Sequence, residues 1–306
     1  MSTSIQYVVP IVALVSVLGC LLIVAIYLRY PSYRNNFYRK LVFVLSIYDI
    51  LYSITLFWAH GSNKELCVFQ SVSITFTGLL QPNFSAIISL LIWYNSLASK
   101  TEKKLKLYYK VLHLICIVVA VIFTVLVFCF DKMTESPNTN WCFLSKGGWL
   151  ETYYIILWID VVISIAFYIK FAINVSRIQK RTKENNGELW GSHSGGIYYQ
   201  EMKMQLRMVV IPLSLLLSNI FASIKRTREF ATDNPKPIFW LDLMQAITNP
   251  SQGLFDCIVF IFFDKYSRNK LKGLFKCKGD SELDIITLNE HKSNRIGLLD
   301  HSEDYD

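Results

Sequence analysis

Seven stretches of mostly apolar residues run through the chain, at Ile5–Leu28, Tyr38–Trp58, Cys67–Leu97, Val111–Phe130, Trp149–Val175, Met208–Ile224 and Ile238–Phe263. As α-helices, all seven fall at or above the roughly 17 residues that a membrane-spanning helix needs. The connections between them are short, apart from the polar segment between the fifth and the sixth. The last stretch is polar along one side. Asp242, Gln245, Asn249, Gln252 and Asp256 recur at spacings of three and four, so all five share one helical face. Polar groups are costly in hydrocarbon, so this face is expected to meet protein or trapped water. Pro250 removes a backbone donor in mid-stretch, which predicts a kink there.

Composition agrees with a membrane protein. Hydrophobic residues make up 53% of the chain and aromatics 14%, with a mean hydropathy of +0.34. That excludes a soluble domain of this length and predicts an all-α bundle of seven membrane-spanning helices. No internal repeat is found, which weakens readings as a transporter built on duplicated halves.

The formal net charge is +8. Its basic residues sit in the connections between apolar stretches, so membrane topology accounts for them better than nucleic acid does. About 21 Lys and Arg follow the odd-numbered helices, against about 7 on the opposite side. The bias predicts an extracellular N-terminus and a cytoplasmic C-terminus. Residues 1–4 are then a short outer segment, the first helix acts as a signal anchor, and 5–263 form the bundle. Residues 264–279 have a basic face, with Leu271, Leu274 and Phe275 at helical spacing, which fits a short helix on the inner membrane surface. Residues 280–306 form an acidic tail, disordered by composition.

Cys67 begins the third helix on the outside and Cys142 lies in the second outer loop. No other cysteine falls in an outer loop, so an oxidising compartment predicts a disulfide between them. Cys277 follows the surface helix and is a palmitoylation candidate.

Several residues stand out as candidates for binding. Gln70, Ser73, Thr77 and Gln81 form a polar face on the outer half of the third helix, and Pro82 is expected to distort that helix. Tyr153 and Tyr154 belong to an aromatic group at the outer end of the fifth, where an interface belt is the plainer explanation. Lys225, Arg226 and Arg228 cluster at the outer end of the sixth, against the topology bias. An anionic ligand explains them, and so does a solvated helix end. Asp242 and Gln245 occupy the outer part of the seventh. Asp49 lies near mid-membrane in the second helix, as a functional carboxyl or as a structural hydrogen bonder. Pro212 and Pro250 mark hinges or static kinks.

Enzyme chemistry finds little support. No histidine pairs with another ligand at helical spacing inside a stretch, which argues against zinc hydrolysis. The seventh helix has no lysine to anchor retinal, and no cofactor is expected.

Asn249-Pro250-Ser251-Gln252-Gly253-Leu254-Phe255 resembles the helix-7 Gln-Gly motif of secretin-type receptors and of the cyclic-AMP-receptor-like family. The Trp141-Cys142 pair and its partner Cys67 are similar to the same families. The resemblance covers roughly residues 5–275. The short segment before the first helix fits the cyclic-AMP-receptor-like group better than the secretin type. The rhodopsin type is disfavoured, because Trp93-Tyr94-Asn95-Ser96 replaces its helix-3 triplet and Gly253 stands where its helix-7 Tyr would be.

The resemblance implies a multi-pass plasma-membrane receptor coupled to a heterotrimeric G protein. Its extracellular small-molecule ligand would sit among Gln70, Ser73, Thr77, Tyr153, Tyr154, Lys225, Arg226, Asp242 and Gln245. A small anion such as a cyclic nucleotide suits the basic cluster. Asp49, Pro212, Asn249, Pro250, Gln252, Gly253 and Asp256 would form the switch, and Lys180, Arg181, Lys203 and Arg207 would flank the G-protein crevice. A seven-helix channel or transporter is the alternative.

Overall fold

A computed structural model describes residues 3–34, 36–57, 64–97, 102–130, 133–135, 142–144, 148–184, 210–232, 238–263, 267–268 and 271. The chain divides into two units, Met1–Phe263 and Asp264–Asp306. In the first unit the helices are α1 (Thr3–Arg29), α2 (Pro31–Arg34), α3 (Phe37–Phe57), α4 (Lys64–Leu97), α5 (Glu102–Cys129), α6 (Trp149–Glu184), α7 (Val210–Ala231), α8 (Phe239–Thr248) and α9 (Gln252–Phe263). Two short strands, β1 (Met133–Glu135) and β2 (Cys142–Leu144), pair antiparallel between α5 and α6. This hairpin is a small departure from an all-helical chain. In the second unit, residues 267–268 and 271 are helical, and Cys277 and the acidic tail lie outside the described residues.

Local chemistry sets the helix starts. The side chain of Asn36 accepts from the amides of Tyr38 (3.0 Å) and Arg39 (3.3 Å), capping α3. At the start of α6, the Gly148 amide donates to Glu151 Oε2 over 2.6 Å, half of a capping box.

Among the described residues, five helices are long and apolar enough to cross a membrane: Tyr7–Arg29, Phe37–Phe57, Glu65–Leu97, Lys104–Cys129 and Trp149–Arg177. The other two apolar stretches fall short for local reasons. The end of α7 carries Lys225, Arg226, Arg228 and Glu229, and the last stretch is cut in two between α8 and α9.

Three boundaries differ from the sequence expectation. α5 starts at Glu102, so Lys104, Lys106 and Lys110 lie on the helix and not in a loop. α6 continues to Glu184, past the expected end at Val175. α7 continues to Ala231, so the basic cluster is helical. In each case charged residues extend a helix beyond its apolar stretch, because Lys, Arg and Glu are good helix formers and hydropathy marks only the buried length. α4 also runs unbroken through Pro82.

α4 is the central helix. It packs on α3, α5, α6 and α7 and receives the hairpin. Of its spanning part 78% is buried, against 28% for α5. α5 and α6 turn rows of Leu, Ile and Val outward, which suits hydrocarbon. α1, α3, α7, α8 and α9 complete the packing, with α9 lying against α1, α3 and α7.

Candidate functional site

The last stretch is divided at Asn249–Ser251. Pro250 has no N–H for the Ala246 carbonyl, which ends the i→i−4 ladder. The Ser251 hydroxyl donates to the Thr248 carbonyl (2.8 Å), and the Ser251 amide donates to the same oxygen (3.2 Å). Side chain and turn together satisfy a carbonyl that the helix has abandoned.

Polar side chains join both halves of this broken helix to its neighbours. Tyr52 Oη on α3 donates to Asn249 Oδ1 over 3.1 Å, at the break itself. On α9, Gln252 Oε1 accepts from Ser218 Oγ of α7 (3.3 Å), and Asp256 Oδ1 accepts from Ser214 Oγ (2.5 Å). The Leu254 amide donates to Ser16 Oγ of α1 (3.1 Å). Asp49 lies within hydrogen-bonding reach of Asp256 and accepts from Gln81 Nε2 of α4 over 2.6 Å. Asp49, Gln81, Ser214, Ser218, Gln252 and Asp256 are all nearly fully buried. Five helices therefore share one interior polar network centred on the break.

Gly253 makes this convergence possible. A Cβ there would lie 2.5 Å from Cys20 Sγ, 2.7 Å from Ser16 Oγ and 3.0 Å from Asp49 Cβ. Only a residue without a side chain lets α9 come so close to α1 and α3. The Gln-Gly dipeptide thus combines a hydrogen bonder with a point of close approach. Pro212 is buried near the start of α7, two residues before Ser214.

A second group of candidates lies at the hairpin end of the bundle. A disulfide joins Cys67 to Cys142, with Cα atoms 5.1 Å apart. Gln70 secures the same strand: its Oε1 accepts from the Cys142 amide (3.2 Å), while its Nε2 donates to the Thr55 carbonyl (3.4 Å). Thr77 is buried and its hydroxyl donates to the Ser73 carbonyl of its own helix, whereas Ser73 is half-buried. Tyr153 packs edge-on against Phe143 of the hairpin. Its hydroxyl rests against Gly78 of α4, where a Cβ would collide with it.

The basic cluster is largely paired within the protein. Lys225 Nζ lies 2.7 Å from Asp242 Oδ1, tying α7 to α8. Arg226 pairs with Glu229 and hydrogen-bonds the Tyr154 hydroxyl. Two buried polar atoms in this region have no partner among the described residues, Arg226 Nε and Gln245 Oε1. Of the expected G-protein contacts, Lys180 is exposed on α6 and Arg181 is helical. Lys203 and Arg207 lie outside the described residues.

The network residues not singled out from sequence are Ser16, Tyr52, Ser214 and Ser218. Ser214 and Ser218 are four apart in an apolar helix, a polar spacing that marks an inward face. Ser16 and Tyr52 give no such signal.

The helical bundle, with its last apolar stretch broken and its hairpin tethered by a disulfide, has a counterpart among solved structures. The crystal structure of squid rhodopsin superposes with a TM-score of 0.69 at 14% identity, over 91% of this chain and 88% of that one. Residues 199–269 match the family model for the C-terminal part of the G protein-coupled glucose receptor regulating Gpa2. Cyclic AMP receptor-like protein A of Dictyostelium discoideum is 19% identical over 292 residues, covering 94% of this chain and 73% of that protein. These comparisons make the chain similar to G-protein-coupled receptors, and the relatives are receptors, not enzymes. Within that class the chain resembles the cyclic-AMP-receptor-like family.

Proposed function

We propose that this protein is a plasma-membrane receptor of seven spans, with its N-terminus outside, which turns binding of a small extracellular ligand into activation of a cytoplasmic heterotrimeric G protein. α7 supplies the sixth span, and α8 with α9 supplies the seventh. One observation carries the reading: the break at Asn249–Ser251 is bonded to α3 at its centre and to α7 below it. A ligand that favours one packing of α7 and α8 over another shifts that equilibrium by its differential affinity. α9 transmits the shift to the inner end, where Lys180, Arg181, Lys203 and Arg207 flank the partner.

The ligand sits at the hairpin end, near Tyr153, Tyr154, Asp242 and Gln245, with Gln70, Ser73 and Thr77 forming the wall below the tethered loop. A small anion such as a cyclic nucleotide would have to draw Lys225 and Arg226 away from Asp242 and Glu229.

The test is a G-protein dissociation assay in cells with a panel of small molecules, using Asn249→Ala as control. A ligand-dependent signal that Asn249→Ala reduces supports the reading. Silence across every G-protein class at full surface expression overturns it.

A further inference from the structure

A groove of about 570 Å³ lies between α6 and α7, and neither the network nor the tethered loop gives it a role. Its walls are mainly Ile155, Trp158, Ile159, Val162 and Phe230. Ile155, Ile159 and Val162 are 58, 52 and 61% exposed, so the groove opens sideways, away from the bundle interior. In a bilayer that side faces hydrocarbon. These three residues form a row along α6 of about two turns, roughly 10 Å at 1.5 Å per residue. Such a row makes a slot for an extended chain. Trp158 Nε1 donates to Ser223 Oγ over 3.0 Å across the two helices, and both residues line the groove.

The groove has one polar end, formed by Tyr154, Thr227, Glu151 and Arg226. Arg226 is committed to Glu229 through Nη1 and to the Tyr154 hydroxyl, yet its Nε is buried and without a partner. That nitrogen is closed off from the groove, so Arg226 offers an incoming group no free donor. Charge decides what the polar end accepts. Glu229 already neutralises Arg226, and Glu151 adds a carboxylate to the lining. An incoming anion would meet that carboxylate with no unpaired cation in the lining to offset it, whereas an uncharged head group would not.

We propose that the groove between α6 and α7 binds a neutral single-chain membrane lipid of the monoacylglycerol type. Its acyl chain lies along Ile155, Ile159 and Val162, and its uncharged glycerol head group sits at the polar end with Tyr154 and Thr227. The lipid enters sideways from the bilayer. This site needs only a membrane environment and stands whether or not the chain couples to a G protein.

The experiment uses the full chain in lipid nanodiscs with a monoacylglycerol bearing a diazirine in its acyl chain. Crosslinks are mapped by mass spectrometry. They are expected to concentrate on Ile155, Ile159 and Val162, compared with Leu114, Val118 and Ile122 on the lipid-facing side of α5, and to be competed by unlabelled monoacylglycerol. Val162→Trp fills the slot from its exposed side without touching the core, and it should cut competable labelling about tenfold, the equivalent of roughly 1.4 kcal/mol. Ile159→Trp provides an independent second obstruction. A fatty-acid probe with the same chain and a free carboxylate should label less. Crosslinks spread evenly over α5 and α6 overturn the proposal. So does preference for the carboxylate probe, or labelling indifferent to both tryptophan variants.

Discussion

Gly253 faces Cys20 so closely that a methyl group on it would lie 2.5 Å from the sulfur. The contact joins α9 to α1 beside Asp49 and sets how near α9 lies to α1 and α3. Gly253→Ala is expected to destabilise the protein by about 1–3 kcal/mol through overpacking. Thermal unfolding of purified protein in detergent reads the loss. Because the nearest obstacle is a sulfur atom, Cys20→Ala in the Gly253→Ala background should restore part of it. If Gly253→Ala unfolds at the wild-type temperature, the close approach is not a constraint on the native packing.

Tyr52→Phe and Asn249→Ala remove the two ends of one hydrogen bond. Each is expected to cost about 1 kcal/mol, with a double mutant clearly short of the sum, since the partners touch. Ligand-evoked G-protein signals should shift in the same order. Strict additivity would show that the bond is not made in the membrane.

Loss of the Cys67–Cys142 disulfide opens a link across a sequence separation of 75. The chain-entropy model puts its worth at roughly 4 kcal/mol. Cys67→Ser and Cys142→Ser should therefore lower the unfolding temperature equally, and a reducing agent should do the same to wild type while leaving both variants unchanged. Gln70→Ala should add to the damage, because the Cys142 amide loses its acceptor.

Lys225 and Asp242 are each mostly buried, with side chains 14 and 11% exposed. Lys225→Ala or Asp242→Ala should each cost about 1.5–3 kcal/mol, the range for hydrogen bonds to charged groups. The double replacement should cost less than the two together, and exchanging the residues should recover much of the loss. This cycle also tests the anionic-ligand reading. If binding of a cyclic nucleotide is unaffected by Lys225→Ala and Arg226→Ala, that ligand class is excluded.

Much of this architecture was legible along the chain. The five long spans follow from hydropathy, because burial in hydrocarbon rewards each apolar residue locally and regardless of its neighbours. The break at Pro250 is equally local, since a missing N–H is a property of the residue itself. The pairing of Cys67 with Cys142 came from elimination, as two thiols on one side of a membrane have little choice of partner. The helix ends were less legible. Lys104 to Lys110 begin a helix ahead of its apolar stretch, and Arg226 to Glu229 continue one past its apolar end.

What the sequence by itself determined is which segments are helical, where the last one breaks, and which face of it is polar. Only the tertiary structure decided who meets that face. Gln70 and Thr77 share one polar face in the sequence, and only the packing shows that Gln70 also holds the hairpin while Thr77 bonds its own helix. Lys225 read as part of a basic cluster open to an anionic ligand or to solvent and Asp242 as an outer-end residue of the last stretch, and the fold pairs them with each other. Ser16 of α1 reaches the Leu254 amide only because Gly253 lets the helices approach. Helix formation depends on neighbours three and four residues away, and local sequence records it. A partnership between helices depends on the rotation and separation of two cylinders, which the packing of the whole bundle sets.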